Sequence, residues 1–217
     1  MLKGFVMIKL TNRLMAIAKE VKPCNTVVDI GTDHGYIPVY LVQNNICENA
    51  IACDVNIGPL NSCKFLVESL SLEDKIKCVL SDGFENIKGN FDCAVMAGMG
   101  GELISDILTK GNMDNLKNCN LVINPMTHSE HVRKWLYTNG FSIDNDVVIL
   151  DLKHHYNIIS AHFTGEYISP DNVRIFLGEI KDYNDREYFL HLKNYLLSKQ
   201  KSGIDYSDVI NAIEVRI

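Results

Sequence analysis

Residues 29–38 read Asp-Ile-Gly-Thr-Asp-His-Gly-Tyr-Ile-Pro, placing two glycines and two carboxylates directly after an apolar run. Glycines let the chain turn sharply and let a ligand lie against backbone. The spacing is G-x-x-x-G, not the G-x-G-x-x-G that presents a helix N-terminus to a dinucleotide pyrophosphate. Asp29 and Asp33 would also repel phosphates, so the loop suits a cation. About 20 residues past the glycines a second apolar run ends at Asp54, where a carboxylate can accept both hydroxyls of a ribose. The same carboxylate could instead cap the helix that begins near Pro59. A third run ends in Ser81-Asp82-Gly83, where an acid can accept from an adenine amino group. S-adenosylmethionine carries an ammonium, a sulfonium and an adenosine but no phosphate, and it is the cofactor these acids anticipate. Its candidate contacts are Gly31, Thr32, Asp33, His34 and Gly35, then Asp54, Val55 and Asn56, then Ser81, Asp82 and Gly83. Without a ligand, the first loop would be an ordinary tight turn between strand and helix.

Such loops must hang on a sheet. Short β-rich runs at 26–30, 50–55, 76–80, 91–96 and 121–124 alternate with helical patterns near 36–45, 59–70, 100–110 and 129–139. Near-continuous apolar strands alternating with helices predict a parallel sheet covered on both faces, with ligands at the strands' carboxyl ends. Leu10, Leu14, Ile17 and Val21 recur at helical spacing, so an amphipathic helix over 9–21 should lid the core until Pro23 stops it. After Asn139-Gly140, the runs 141–152 and 156–163 read as a terminal antiparallel hairpin around a Lys153-His154-His155 turn. The expected fold is therefore α/β and Rossmann-like, a mostly parallel seven-stranded sheet closed by an antiparallel hairpin. Beyond Pro170, Phe176, Ile180, Tyr183, Leu192 and Leu196 suggest a helix seam, broken at Ser202-Gly203. This divides the chain into a catalytic domain over 1–165 and a small helical hairpin over 166–217.

The chain has 217 residues, 47% hydrophobic, and a net charge of -6, enough for one substantial core and without a uniformly basic surface. Residues 1–25 are locally basic through Lys3, Lys9, Arg13, Lys19 and Lys22 against Glu20. No stretch approaches the roughly 18 apolar residues of a membrane span, so the expected location is the cytoplasm, with no membrane partner. The seven cysteines never form C-x-x-C and read as free thiols in a reducing compartment. No metal is expected. His154 and His155 are adjacent on an extended segment and face opposite ways, and His128 and His131 have no evident acidic partner. A monomer is the favoured state.

Read together, DIGTDHGYIP (29–38), DVNIGPL (54–60), AGMGG (97–101), the Asn124-Pro125 pair and RKWLYTNGF (133–141) resemble the bacterial tRNA (adenine-22-N1)-methyltransferase family. The KLTNRLMAIAKEV helix and the strand over 153–159 extend the likeness across residues 9 to 163. The family usually has Gln-Pro where this chain has Asn124-Pro125, an amide one methylene shorter. The resemblance implies a class I methyltransferase domain, S-adenosylmethionine as donor, tRNA as acceptor and a C-terminal helical domain that helps hold the tRNA. Gly98, Gly100 and Gly101 follow the fourth strand, where small residues let backbone approach the methyl donor, though a plain helix-entry turn would use glycine too; Ala97, Gly98, Met99 and Gly100 are the candidate contacts there.

Adenine N1 has a free lone pair at neutral pH, so methyl transfer needs in-line alignment more than a strong base. The expected catalytic groups are Asn124 and Pro125, as a wall for the base edge, and Asp29, which would stabilise the cation formed. Tyr36 and Tyr156 could stack on adenine. Arg13, Arg133, Lys134 and Lys153 are the expected phosphate contacts. Open alternatives are a methyltransferase for a small molecule or a protein, and an idle tRNA-binding protein. A nicotinamide oxidoreductase fits the glycine spacing less well.

Overall fold

The computed structural model describes residues 7–183, 185–201 and 203–217; Lys3 and Ser202 lie outside this set. Helix α1 (Asn12–Glu20) precedes five strand units: β1 (Cys24–Ile30), α2 (Tyr36–Gln43), β2 (Cys47–Asp54), α3 (Ile57–Ser69), β3 (Ile76–Leu80), β4 (Cys93–Met99), α4 (Gly101–Lys110), α5 (Met113–Lys117) and β5 (Asn120–Pro125). Then follow α6 (Ser129–Thr138), β6 (Phe141–Asp151), β7 (His154–Phe163), α7 (Asn172–Leu177), α8 (Arg186–Gln200) and α9 (Ser207–Arg216). The seven strands form one sheet in the order β3-β2-β1-β4-β5-β7-β6. β1 to β5 run parallel, while β7 pairs antiparallel with both β5 and β6. The Rossmann-like fold expected from the alternating runs is the one observed.

Side chains alternate across the sheet, and both faces are covered. Val28, Ile30, Ala94 and Met96 point to the face packed by α4 and α6, with Ile104, Leu108, Trp135 and Leu136. Val27, Val95 and Val122 point to the other, against Ile17 and Val21 at the α1 end, Leu41 of α2 and Cys63 of α3. The α1 seam is the predicted one, and Thr11 caps the helix by accepting from the Leu14 amide. α5 was not foreseen. The two histidines expected in the hairpin turn belong instead to β7, and the turn is Leu152-Lys153.

The C-terminal helices have their own apolar cluster, centred on Phe189, Leu196, Val209 and Ile213. The expected seam from Phe176 through Ile180 and Tyr183 to Leu192 and Leu196 is interrupted, because α7 ends at Leu177, Gly178 takes a φ of +58° and α8 begins only at Arg186. A side chain at Gly178 would collide with Asp146 and Arg133, so glycine is required there by conformation and by space. Among the described residues, no helix is long and apolar enough to cross a membrane.

Candidate active site

The strand order reverses between β1 and β4, and such a reversal opens a crevice over the strands' carboxyl ends. A cleft of about 550 Å³ lies there. The end of β1 supplies Asp29 to its lining, the β1–α2 loop supplies Gly31, Thr32, Asp33 and His34, and the end of β2 with the turn after it supplies Asp54, Val55 and Asn56. The turn after β3 adds Ser81, Asp82 and Gly83, and β4 adds Ala97, Gly98 and Met99. Gly35 and Gly100 stand behind as the residues preceding α2 and α4. Gly35 has a φ of +75°, and an added Cβ would press on the Cys63 thiol, so the loop can close on α3 only with glycine there. Asp33 takes a φ of +49°, uncommon for a side-chain-bearing residue and typical of loops shaped for a ligand.

The acids differ in state and surroundings. Asp29 is 3% exposed, and burial pushes its carboxyl up to about 6, against the Thr32 hydroxyl, which lowers it, and with the Asp54 charge, which raises it further. Asp54 is buried too, and its Oδ1 accepts from the Asn56 amide at 2.7 Å. One oxygen thus ties down the turn into α3, whose N-cap is Asn56 rather than Asp54 itself, while the carboxylate lines the cleft. Asp82 is exposed. Ser81 organises its own turn, since its hydroxyl donates to Gly83 O at 2.9 Å and accepts from the Asn86 amide at 3.0 Å.

The β4 glycine segment is locked to the end of β5, with Met126 N donating to Met99 O and Gly101 N to Thr127 O, both at 2.8 Å. Asn124 is fully buried, and its amide is engaged at both ends. Its Oδ1 accepts from Arg13 Nη1 at 2.8 Å and its Nδ2 donates to Asn157 O at 2.8 Å. Pro125 is buried beside it. The expected open amide wall is absent in this arrangement. Its place at the cleft is taken by Arg13, which lines the cleft and lies over the Tyr156 ring at 5.5 Å. Sequence reasoning had Arg13 on the surface. Its position beside Leu14 on the Leu10, Leu14 and Ile17 stripe, in the first turn of α1, was the available signal that it points at the sheet.

Arg133 is a correction. It was expected to meet phosphate, but it is 0% exposed and forms a two-pronged ion pair with Asp146, Nε to Oδ2 at 2.7 Å and Nη2 to Oδ1 at 3.0 Å. Burial works against its charge, but the Asp146 carboxylate outweighs this and holds the guanidinium protonated. Its Nη1 donates to Ser129 Oγ and Phe176 O, each at 3.0 Å, so it fastens the end of α7 to α6. Lys134 and Lys153 are exposed, as a phosphate contact requires. His128, which precedes α6, and His131 on it do have acidic neighbours, since His128 Nδ1 lies 3.1 Å from Glu130 and His131 Nε2 lies 3.6 Å from Glu102. The sequence hid Glu102 because it belongs to a different helix.

Residues 10–159 match the model of a methyltransferase domain. The chain is 33% identical over 172 residues to the tRNA (adenine(22)-N(1))-methyltransferase of Bacillus subtilis, covering 79% of this chain and 72% of the relative. It superposes on the Mycoplasma capricolum TrmK bound to S-adenosyl-homocysteine with a TM-score of 0.76 and 29% identity, over 95% of this chain and 94% of the other. The Streptococcus pneumoniae protein Sp1610 in complex with S-adenosyl-L-methionine gives 0.82 and 26%, over 95% and 98%. A domain match over most of the chain, with one-third identity across nearly three-quarters of the Bacillus enzyme, shows that this chain belongs to the tRNA (adenine-22-N1)-methyltransferase family.

Proposed function

We propose that the chain methylates N1 of the adenine at position 22 of tRNA, with S-adenosylmethionine as donor. The observation that carries the donor is the cleft at the sheet's reversal, where Asp29, Asp54 and Asp82 stand at three successive strand ends. Those residues fit the cofactor: a buried carboxylate for an ammonium, a second carboxylate for a ribose diol, and an exposed acid at the adenine end. The family supports the acceptor. Residues 1–165 form the catalytic unit in this reading, and 166–217 a helical unit that helps hold the RNA, supported by the separate apolar cluster.

S-adenosylmethionine supplies an electrophilic methyl group on sulfur. The chain's own task is to orient that cofactor and the base, since N1 attacks with its own lone pair. Asp54 and Asp82 hold the adenosine half, the glycines of 97–100 let the backbone approach the donor, and Asp29 offers negative charge near the methionine half. Asn124 acts as a positioning residue that fixes Arg13 over Tyr156, and Arg13 with Met126 forms the wall the target base meets. Lys134 and Lys153 hold phosphates. Purified protein incubated with S-adenosylmethionine and unmodified tRNA should yield 1-methyladenosine on digestion to nucleosides, mapped to position 22. Methylation elsewhere, or none despite cofactor binding, would overturn the assignment.

Because Asp29 and the cofactor's ammonium attract only when the acid is ionised, affinity should fall about tenfold per pH unit below about 6. The stability sign is the opposite. A folded pKa raised above the ordinary 3.8 means the native state binds more protons than the unfolded chain between 3.8 and about 6. Stability from this group is then greatest below 3.8, declines as pH rises to about 6, and is level above. Asp29→Asn should consequently melt higher than the parent at pH 7.5, while its cofactor affinity drops and loses its pH dependence. A titration by calorimetry across pH 5 to 8, with melting curves, checks both halves; an unchanged pH dependence in the variant would remove Asp29 from the role.

Arg13→Ala and Asn124→Ala should each lower turnover about tenfold or more and leave cofactor affinity within about twofold. If Asn124 acts through Arg13, the double variant should be no worse than the poorer single one. Losses that multiply would return Asn124 to a direct contact with the base.

A further inference from the structure

A second cavity, of about 540 Å³, opens beside the first, and Met126 lines both. Its walls come from the loop after β5, the start of β7 and one side of α8, with His155, Asn157, Tyr188 and His191 among the lining residues. Met126 and Lys153 of its lining already have parts in methyl transfer, as base wall and phosphate contact, but the space between β7 and α8 has none. Asn157 is 8% exposed. Its Oδ1 accepts from the Tyr188 hydroxyl at 3.1 Å, and its backbone carbonyl accepts from Asn124 Nδ2. Its own Nδ2, in contrast, has no hydrogen-bond partner among the described residues.

A buried amide donor left unpaired loses its water without gaining a partner, and such groups are rare in folded proteins. In a cavity wall, that donor is satisfied by an acceptor that enters. The surroundings indicate what kind of acceptor. The His155 ring lies 5.9 Å from Tyr188 and 6.3 Å from His191, so flat, polar-edged rings make up one side of the pocket, beside Leu192 and Met126. Lys153 also lines the cavity and is exposed, so it can meet a backbone phosphate. Rings for stacking, a cation for phosphate and a buried donor for a base edge are the makings of a site for an unstacked nucleotide.

We propose that this cavity is a second nucleotide subsite, which takes the base adjacent to the target adenosine and satisfies Asn157 Nδ2 with a ring nitrogen or carbonyl of that base. The inference rests on the tRNA reading given above. It also joins the two sites physically, because the residue that reads the neighbouring base holds, through its backbone carbonyl, the amide of Asn124 that fixes Arg13.

The test uses the full chain and transcripts of the tRNA that are intact, or abasic at position 22, at the nucleotide before it or at the nucleotide after it. His191 is exposed on α8, so His191→Ala should melt like the parent. Stacking is worth about 1–3 kcal/mol per base, so loss of the correct neighbouring base should weaken parent binding about fivefold or more. His191→Ala should weaken binding of the intact transcript, and the two changes together should cost little more than the larger one alone. Losses that multiply for both neighbours would overturn the subsite. So would non-additivity confined to position 22, which would place the target base itself in the cavity. A parent protein that neither binds the transcript nor forms 1-methyladenosine would overturn the tRNA reading, and the subsite with it; additive losses alongside normal methylation overturn the subsite alone.

Discussion

Arg133→Ala is expected to destabilise the protein by about 3–5 kcal/mol, the usual result of removing one partner of a buried ion pair and stranding the other. The Asp146 carboxylate would be left in the interior with the Glu179 amide at 3.3 Å as its remaining donor among the described residues. The Phe176 carbonyl would lose its guanidinium donor at the same stroke. For a chain of this size each kcal/mol moves the midpoint by about 2–4 °C, so thermal unfolding should show a drop on the order of 6–20 °C. Arg133→Met combined with Asp146→Leu should recover much of it, because an apolar pair of similar volume needs no charge compensation. Salt dependence separates this role from phosphate binding. Removing a phosphate contact lowers the slope of log affinity against log salt by about one, and for folded Arg133→Met/Asp146→Leu protein the slope should be unchanged. A melt within about 2 °C of the parent for Arg133→Ala would show that the pair does not fasten α7.

The reason this residue misled a reading of the sequence is instructive about what a sequence carries. On α6, Val132, Arg133, Leu136 and Tyr137 are all buried while Lys134 and Thr138 are exposed, so the 3.6-residue period does place Arg133 inward. A charged residue next to a lysine nevertheless reads as surface, and its partner is invisible at the level of pattern. Strict alternation from Phe141 and Ile143 would turn Asn145 inward and Asp146 outward. A bulge between Ile143 and Asn145 shifts the phase and buries Asp146 instead. By contrast, the strands that hold the cleft were legible because Val27, Val28 and Ile30, or Ala94, Val95 and Met96, are buried on both faces and leave near-continuous apolar runs. The acids that end β1, β2 and β3 were legible for the same reason, as polar residues where an apolar run stops. Arg13 over Tyr156, and Asn157 beside Asn124, join residues more than 30 positions apart or on different elements, and only the fold brings them together.

Asp54→Ala is expected to weaken S-adenosylmethionine binding by about 10- to 150-fold, from the roughly 1.5–3 kcal/mol that hydrogen bonds to a charged group contribute. Beside the proposed ribose contact, Asp54 has a second duty. Its Oδ1 accepts from the Asn56 amide at the entrance to α3, so the alanine variant also loses a helix-entry contact worth about 1 kcal/mol of stability. Asp54→Asn resolves the two. It retains an acceptor for the Asn56 amide and should melt close to the parent, but it gives up the negative charge and one of the two acceptors facing the diol. Its affinity should therefore fall with little loss of stability. A cofactor analogue lacking the ribose 2′-hydroxyl provides the other edge of the cycle: the parent should lose affinity for it, and Asp54→Ala should bind the analogue and the natural cofactor almost equally. Calorimetry on the four combinations measures the coupling directly. If Asp54→Ala still discriminates between them as the parent does, the carboxylate serves only the turn into α3, and the ribose is held by another group at the ends of β1 to β4.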